Sequence, residues 1–323
     1  MRLDRKILAV AAALLLVIAA CGGDDDTGGT DGGDGDSALA DYDLSGLSIG
    51  VGSKDFTEQL VLGEIMVQAF EEAGATVDNK VNLGGTVVAR EALLNGDIDV
   101  YMEYNGTGWT LHLGNDEPSF DPEQLTADVK AQDLADNNIQ WLGRSAFNDT
   151  YGFATGPAFT EENGGAFTMQ SMADYLAANS DASLCLESEF PSRPDGLVLF
   201  EQATGYDVPE SQIEILDTGI IYSETAAGNC DFGEIFTTDG RIPALELAVV
   251  EDDGVMIIYN VSMNVRDDLY QENPEAFDEI AVLILEPLTD DVMAELNRRV
   301  SVEGEDAAEV ARSFLIDQGL ISG

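Results

Sequence analysis

The 323 residues carry 62 acidic against 14 basic side chains, a formal net charge of −48. Phosphate backbones are bound by basic stripes, so that balance rules against nucleic acid as a partner. With a single histidine, His112, and three cysteines, the chain shows no Cys-His pair, no phosphate-binding loop and no metal-ligand spacing, so no cofactor and no metal are expected.

The chain opens with Arg2, Arg5 and Lys6, followed by an apolar run from Ile7 to Ala20 and then Cys21. A basic start, a short apolar core and small residues before a cut describe a secretory signal over residues 1–20. The run is shorter than a membrane-spanning helix needs. Val17-Ile18-Ala19-Ala20-Cys21 resembles a bacterial lipobox, which implies that Cys21 is the lipidated first residue of the mature protein. Residues 21–43, mostly Gly, Asp, Thr and Ser, are expected to form a disordered tether. The rest is long enough for two lobes with cores of their own.

Leu47–Thr107 reads as three strand-then-helix units. Leu47–Val51 is a short apolar strand that enters Gly52-Ser53-Lys54-Asp55-Phe56-Thr57-Glu58-Gln59. Apolar residues at Leu62, Ile65, Met66, Ala69, Phe70 and Ala73 then give the spacing of a one-faced helix closed by Gly74. The second unit passes through Leu83-Gly84-Gly85-Thr86 into a helix over Val87–Asn95. The third strand, Ile98–Tyr104, ends in Asn105-Gly106-Thr107-Gly108. Alternating strands and helices make a parallel sheet with right-handed crossovers. The three turns then share the edge where such sheets bind ligands. They offer hydroxyls, backbone N–H groups and one ammonium, which suits a small anion such as a carboxylate.

A helix over Asp121–Asn137 and a strand over Gln140–Gly143 follow. Phe147–Ala154 is the crossing into a second lobe. There the pattern gives a helix over Ser171–Ala178, a strand over Ser183–Leu186, a helix over Leu197–Thr204 and a strand over Ile213–Leu216. A short helix opens at Tyr222, and the strand Cys230–Phe236 runs into Thr237-Thr238-Asp239-Gly240-Arg241. Cys185 and Cys230 form an even pair in an oxidising compartment, and a disulfide is expected between them. Arg193 stands in the stiff loop Ser192-Arg193-Pro194-Asp195-Gly196, as an internal ion pair or as a clamp aimed at the cleft. The chain returns to the first lobe at about Val255, with a strand over Ile257–Val265 and three closing helices. The fold class is therefore α/β, with two lobes, each a mainly parallel sheet flanked by helices. Lobe I takes residues 44–145 plus 255–323 and lobe II residues 146–254. Two hinge crossings join them, and the lobes close on a ligand between two sets of strand ends.

The motifs Gly52–Gln59, Leu83–Thr86, Glu103-Tyr104-Asn105-Gly106-Thr107, Ser192–Gly196 and Thr237–Arg241, in that order, resemble the extracytoplasmic substrate-binding proteins of ABC importers for quaternary ammonium osmoprotectants. The resemblance runs from Leu47 to Ile321. It implies a box of aromatic side chains around a cationic head, assigned by motif to Tyr104, Tyr151, Tyr222 and Phe236, with Asp149 just before Tyr151. Phe236 stands where relatives often have tyrosine, which keeps a π face and removes a hydroxyl. The carboxylate end of a betaine would meet Lys54, Thr107 and Arg193. A quaternary ammonium has no N–H to donate, so aromatic faces rather than hydrogen bonds must read it. The partners so implied are a small quaternary ammonium ligand, the permease subunits of an ABC transporter and, through the lipid anchor, the outer face of the cell membrane, with the protein a monomer. A binding protein for another small solute such as an amino acid, and a ligand-presenting sensor, are the alternatives. An enzyme is not expected. The acidic, lysine-poor surface points to a saline habitat.

Overall fold

The computed structural model describes residues 37–116 and 119–323. The signal segment, Cys21 and the tether up to residue 36 lie outside the described residues. Among those that are described, no helix is long and apolar enough to cross a membrane.

Among the described residues, ten strands form two five-stranded sheets. In chain order they are β1 (Ser48–Gly52), β2 (Thr76–Lys80), β3 (Val100–Tyr104), β4 (Ile139–Leu142), β5 (Tyr151–Thr155), β6 (Leu184–Leu186), β7 (Ile213–Ile215), β8 (Phe232–Phe236), β9 (Ala248–Val249) and β10 (Val261–Arg266). The first sheet has the order β2-β1-β3-β10-β4 and the second β7-β6-β8-β5-β9. β1 lies parallel to β2 and β3, whereas β10 is antiparallel to β3 and β4. Likewise β6 lies parallel to β7 and β8, whereas β5 is antiparallel to β8 and β9. Four strands of each sheet thus share one direction and one runs against them. The reversed strands are the ones that follow a crossing. A chain arriving from the opposite lobe enters at the cleft edge, where the other strands end, so it must run the other way.

The helix α1 (Thr57–Glu72) begins directly after the first of these turns. Leu62, Ile65, Met66 and Phe70 are fully buried. Fully burying side chains of this kind stabilises by about 1.5–3 kcal/mol each before entropy is counted. The helix α2 (Thr86–Asn95) stops at Gly96, whose φ of 76° is the left-handed cap that a Cβ disfavours. The three closing helices are Pro274–Leu285, Asp290–Ser301 and Ala307–Asp317. Asn273, Thr289 and Asp306 cap them through their side chains.

Three expectations change. The tether was expected to run to Asp43, but Ala38–Asp41 is a short 3-10 helix. Leu39 is buried there, and the Ala38 and Leu39 amides donate to the Gly319 and Leu320 carbonyls at 3.1 Å. An apolar side chain in a polar stretch has found a core to enter. The strand expected over Ile257–Val265 begins only at Val261, so Tyr259 belongs to the crossing rather than to the sheet. The helix expected to open at Tyr222 begins at Thr218, which puts Tyr222 in its second turn.

Cys185 and Cys230 are joined by a disulfide, with Cα atoms 5.9 Å apart. It fastens β6 to the segment entering β8. Closing a loop of this length is typically worth about 2–4 kcal/mol.

Candidate functional site

The carboxyl ends of β1, β3 and β8 meet the beginnings of β5 and β10 at one cleft. Five aromatic rings stand there in a closed circuit. Phe56 follows β1 and lies 6.2 Å from Tyr104, which ends β3. Tyr104 lies 6.3 Å from Tyr259, on the crossing before β10. Tyr259 lies 5.4 Å from Tyr151, which opens β5. Tyr151 lies 5.2 Å from Phe236, which ends β8, and Phe236 closes the circuit on Phe56 at 5.1 Å. Lobe I supplies two rings, lobe II two, and a crossing the fifth. The crossing is held close, because a Cβ on Gly106 would stand 2.6 Å from the Ile258 carbonyl oxygen.

Inside the circuit is a cavity of about 20 Å³, also lined by Lys54, Thr86, Thr107 and Asp149. That is about the room one water needs, so a larger group enters only when the lobes part. Outside it lies a cleft of about 460 Å³, where Asp55, Glu187, Glu189 and Asp217 surround Lys54, Ile215 and Ile220. A cleft so rimmed attracts cations.

The two cations of the expected carboxylate clamp are both paired. The Lys54 ammonium meets Glu103 Oε1 at 2.7 Å and lies 5.0 Å from the Tyr104 ring centre. Glu103 also accepts from the Tyr104 amide at 2.7 Å and from the Tyr101 hydroxyl at 2.9 Å. His112 Nε2 lies 2.8 Å from its other oxygen. Burial alone would raise the Glu103 carboxyl, but the Lys54 charge and these hydrogen bonds hold it well below the usual carboxylate range. Burial pushes His112 down, towards the neutral imidazole.

Arg193 grips Asp195 with two hydrogen bonds of 2.8 Å. It also donates to the Thr86 and Thr107 hydroxyls at 3.2 Å each, and lies over the Tyr151 ring at 5.4 Å. It lines neither the ring cavity nor the outer cleft. The expected clamp is therefore an inter-lobe tie in this structure, and its internal ion pair is with Asp195. Lys54 and Thr107 do face the ring cavity.

Of the four expected box residues, Tyr104, Tyr151 and Phe236 line the circuit and Tyr222 does not. Tyr222 is wholly buried behind the second sheet with Ala154, Ile235 and Leu247. Its hydroxyl accepts from the Phe236 amide at 2.8 Å, and the Arg241 guanidinium covers its ring at 4.1 Å. Starting one turn earlier, its helix directs position 222 into the core. Tyr222 supports Phe236 from behind.

Sequence reasoning missed Phe56 and Tyr259. Phe56 sits at a strand end, the same signal that drew attention to Tyr104. Tyr259 carried no such signal, because an apolar run hid it inside an assumed strand. Glu58 was missed as well. Its carboxylate accepts from the Tyr104 hydroxyl at 2.8 Å, the Asn297 amide at 2.9 Å and the Thr238 hydroxyl at 2.6 Å.

Residues 48–317 match the family described as the substrate binding domain of the ABC-type glycine betaine transport system. The glycine betaine-binding protein YehZ of Escherichia coli is 32% identical over 279 residues, covering 83% of this chain and 90% of that protein. A glycine-betaine-binding protein of Pseudomonas aeruginosa is 31% identical over 278 residues, covering 84% of this chain and 88% of its own length. The apo structure of E. coli YehZ superposes with a TM-score of 0.60 at 30% identity, over 85% of this chain and 99% of that one. A glycine betaine/carnitine/choline ABC transporter structure gives a TM-score of 0.65 at 22% identity over 84% of this chain and 99% of that one, which bears on the fold alone. With the family model spanning nearly the whole two-lobed body, this chain belongs to the substrate-binding proteins of ABC-type glycine betaine transport systems.

Proposed function

We propose that this protein captures a quaternary ammonium compatible solute outside the cytoplasm and delivers it to the permease of an ABC importer. The observation that carries the reading is the closed circuit of Phe56, Tyr104, Tyr259, Tyr151 and Phe236, drawn from both lobes and one crossing. Such faces attract a methylated cation by about 0.5–2 kcal/mol each. Rings from both lobes let one head group draw the lobes together. The acidic cleft outside concentrates cations near the entrance. The polar end of a ligand would meet Lys54 and Thr107, with Arg193 closing the lobes over it. Lipidation of Cys21 would hold the protein, as a monomer, at the outer face of the membrane. Binding and release by hinge motion account for the site without a chemical step.

Calorimetry with glycine betaine, choline, carnitine and unmethylated glycine tests this. Heat from the methylated ligands and none from glycine is expected. Equal binding of glycine would overturn the aromatic reading.

A further inference from the structure

The ring circuit stands over a pair of buried carboxyl groups. Glu58 comes from α1 and Asp149 from the first crossing, and both line a small cavity of about 10 Å³ beneath Phe56 and Phe236. The Thr238 hydroxyl lies between them, 2.6 Å from Glu58 Oε2 and 2.7 Å from Asp149 Oδ1. A hydroxyl has one proton to give. With both carboxyls ionised, one of these two contacts would set lone pair against lone pair.

Among the described residues no cation pairs with either carboxyl, and the nearby ones are engaged elsewhere. On β3 the neighbour is the Tyr104 hydroxyl, and on the helix Asp290–Ser301 it is the Asn297 amide. After β8 come the Thr238 amide, 3.2 Å from Asp149, and the charged residues Asp239 and Arg241. Arg241 is engaged by Asp239, with Nε 2.9 Å from Oδ1. Lys54 lies on Tyr104 and is taken by Glu103.

A single proton on the pair satisfies every contact, and Asp149 is its better seat. A proton on Asp149 donates to the Thr238 oxygen, and the Thr238 hydroxyl donates to Glu58. Glu58, with donors from Tyr104 and Asn297, is the better bearer of the negative charge. Burial, and then the Glu58 charge, hold the Asp149 carboxyl well above its ordinary range. Asp149 also lines the ring cavity, so a cation there acts directly on it.

We infer that Glu58 and Asp149 share one proton beneath the aromatic circuit, and that a cation entering the circuit expels it. The inference rests on the quaternary ammonium reading. The balance is simple: the singly charged pair plus the cation gives the doubly charged pair with the cation bound, and one proton passes to solvent. Ligand capture is then linked to pH, and the linkage is reciprocal.

The test uses tetramethylammonium chloride, the bare head group, in calorimetry at one pH in phosphate and in Tris. The observed heat should differ by up to one proton's buffer ionisation per ligand bound. Affinity should fall by up to about tenfold per pH unit as pH drops below the titration of the free pair. Asp149→Asn places an amide donor where the proton was and removes one charge from the bound pair, so it should bind the probe more weakly, with no proton release and a flat pH profile. Infrared difference spectra of the ligand-free protein should show a protonated carboxyl that this variant lacks. Binding without proton release, or no such carboxyl in the ligand-free protein, overturns this inference alone. Failure of the probe to bind overturns the aromatic reading and this inference with it.

Discussion

Arg193 Nη2, on lobe II, donates to the Thr107 hydroxyl of lobe I at 3.2 Å, while the same guanidinium grips Asp195 beside it. The charge is thus held at home and only two neutral hydroxyls of the other lobe are touched. Such a tie can be made and broken as the lobes swing without stranding a charge.

Arg193→Ala removes the two inter-lobe hydrogen bonds that this side chain donates and leaves the Asp195 carboxylate without its cation, with only the Thr110 hydroxyl still donating to it across the cleft. Hydrogen bonds to charged groups are worth about 1.5–3 kcal/mol each. Glycine betaine and choline should both lose affinity, because closure is impaired for either. Small-angle scattering should show a larger ligand-free radius. A loss confined to glycine betaine would return Arg193 to the role of a carboxylate clamp.

Tyr259 and Tyr222 should separate cleanly. Tyr259→Leu removes one face of the circuit and should weaken any quaternary ligand by about 0.5–2 kcal/mol. Tyr222→Phe leaves the part-buried Phe236 amide without this acceptor, a cost of about 1 kcal/mol or somewhat more in stability. Melting temperature should fall in the second variant more than affinity does. The reverse pattern, read by thermal melts and calorimetry together, would restore Tyr222 to the box.

Acid should strip the Lys54–Glu103 pair of its value. The folded carboxyl of Glu103 titrates lower than the unfolded one, so its contribution is present above the unfolded value, about 4.3, and is lost as pH falls from there. Glu103→Gln leaves a buried ammonium unpaired, which costs about 3–5 kcal/mol near neutral pH. The gap in stability between wild type and variant should narrow from pH 6 to pH 3. A constant gap would sink the assignment.

Salt should stabilise the protein. At a net charge of −48, self-repulsion opposes the compact state. Raising salt to about 1 M shortens the Debye length to about 3 Å, so the melting temperature should climb well beyond physiological salt. A flat or falling curve contradicts the saline-habitat reading.

The alternation of strands and helices was legible because apolar periodicity and glycine stops are local signals. α2 closes at Gly96, and the helix Leu197–Thr204 begins and ends as its pattern indicates. Boundaries slipped where chemistry overrode pattern. The Thr218–Ala227 helix was read from its aromatic inward, although Asp217 stands just ahead of its first turn. Within the site, Tyr104, Tyr151 and Phe236 were legible from their motifs, whereas Phe56 and Glu58 were passed over inside the Gly52–Gln59 motif because nothing local marks which of its side chains meet across the cleft. Tyr259 meets Tyr104 across 155 positions of sequence, and no local spacing carries that distance. The Glu58–Asp149 contact through Thr238 is equally invisible along the chain, since each residue alone is an ordinary polar neighbour of a helix or strand end.

Tyr151 opens the strand after one crossing and Tyr259 ends the other crossing, with their rings 5.4 Å apart. Because Tyr151 stands on a strand of lobe II and Tyr259 on a crossing, a change in lobe angle would move these two rings relative to each other. Reshaping the site for a bulkier solute would reset the resting angle of the jaws, and locking that angle would retune which solutes are held. Selectivity and gating would then share one mechanical coordinate, and an engineer who wants a sensor would place the reporter on the lobes and leave the two crossings alone.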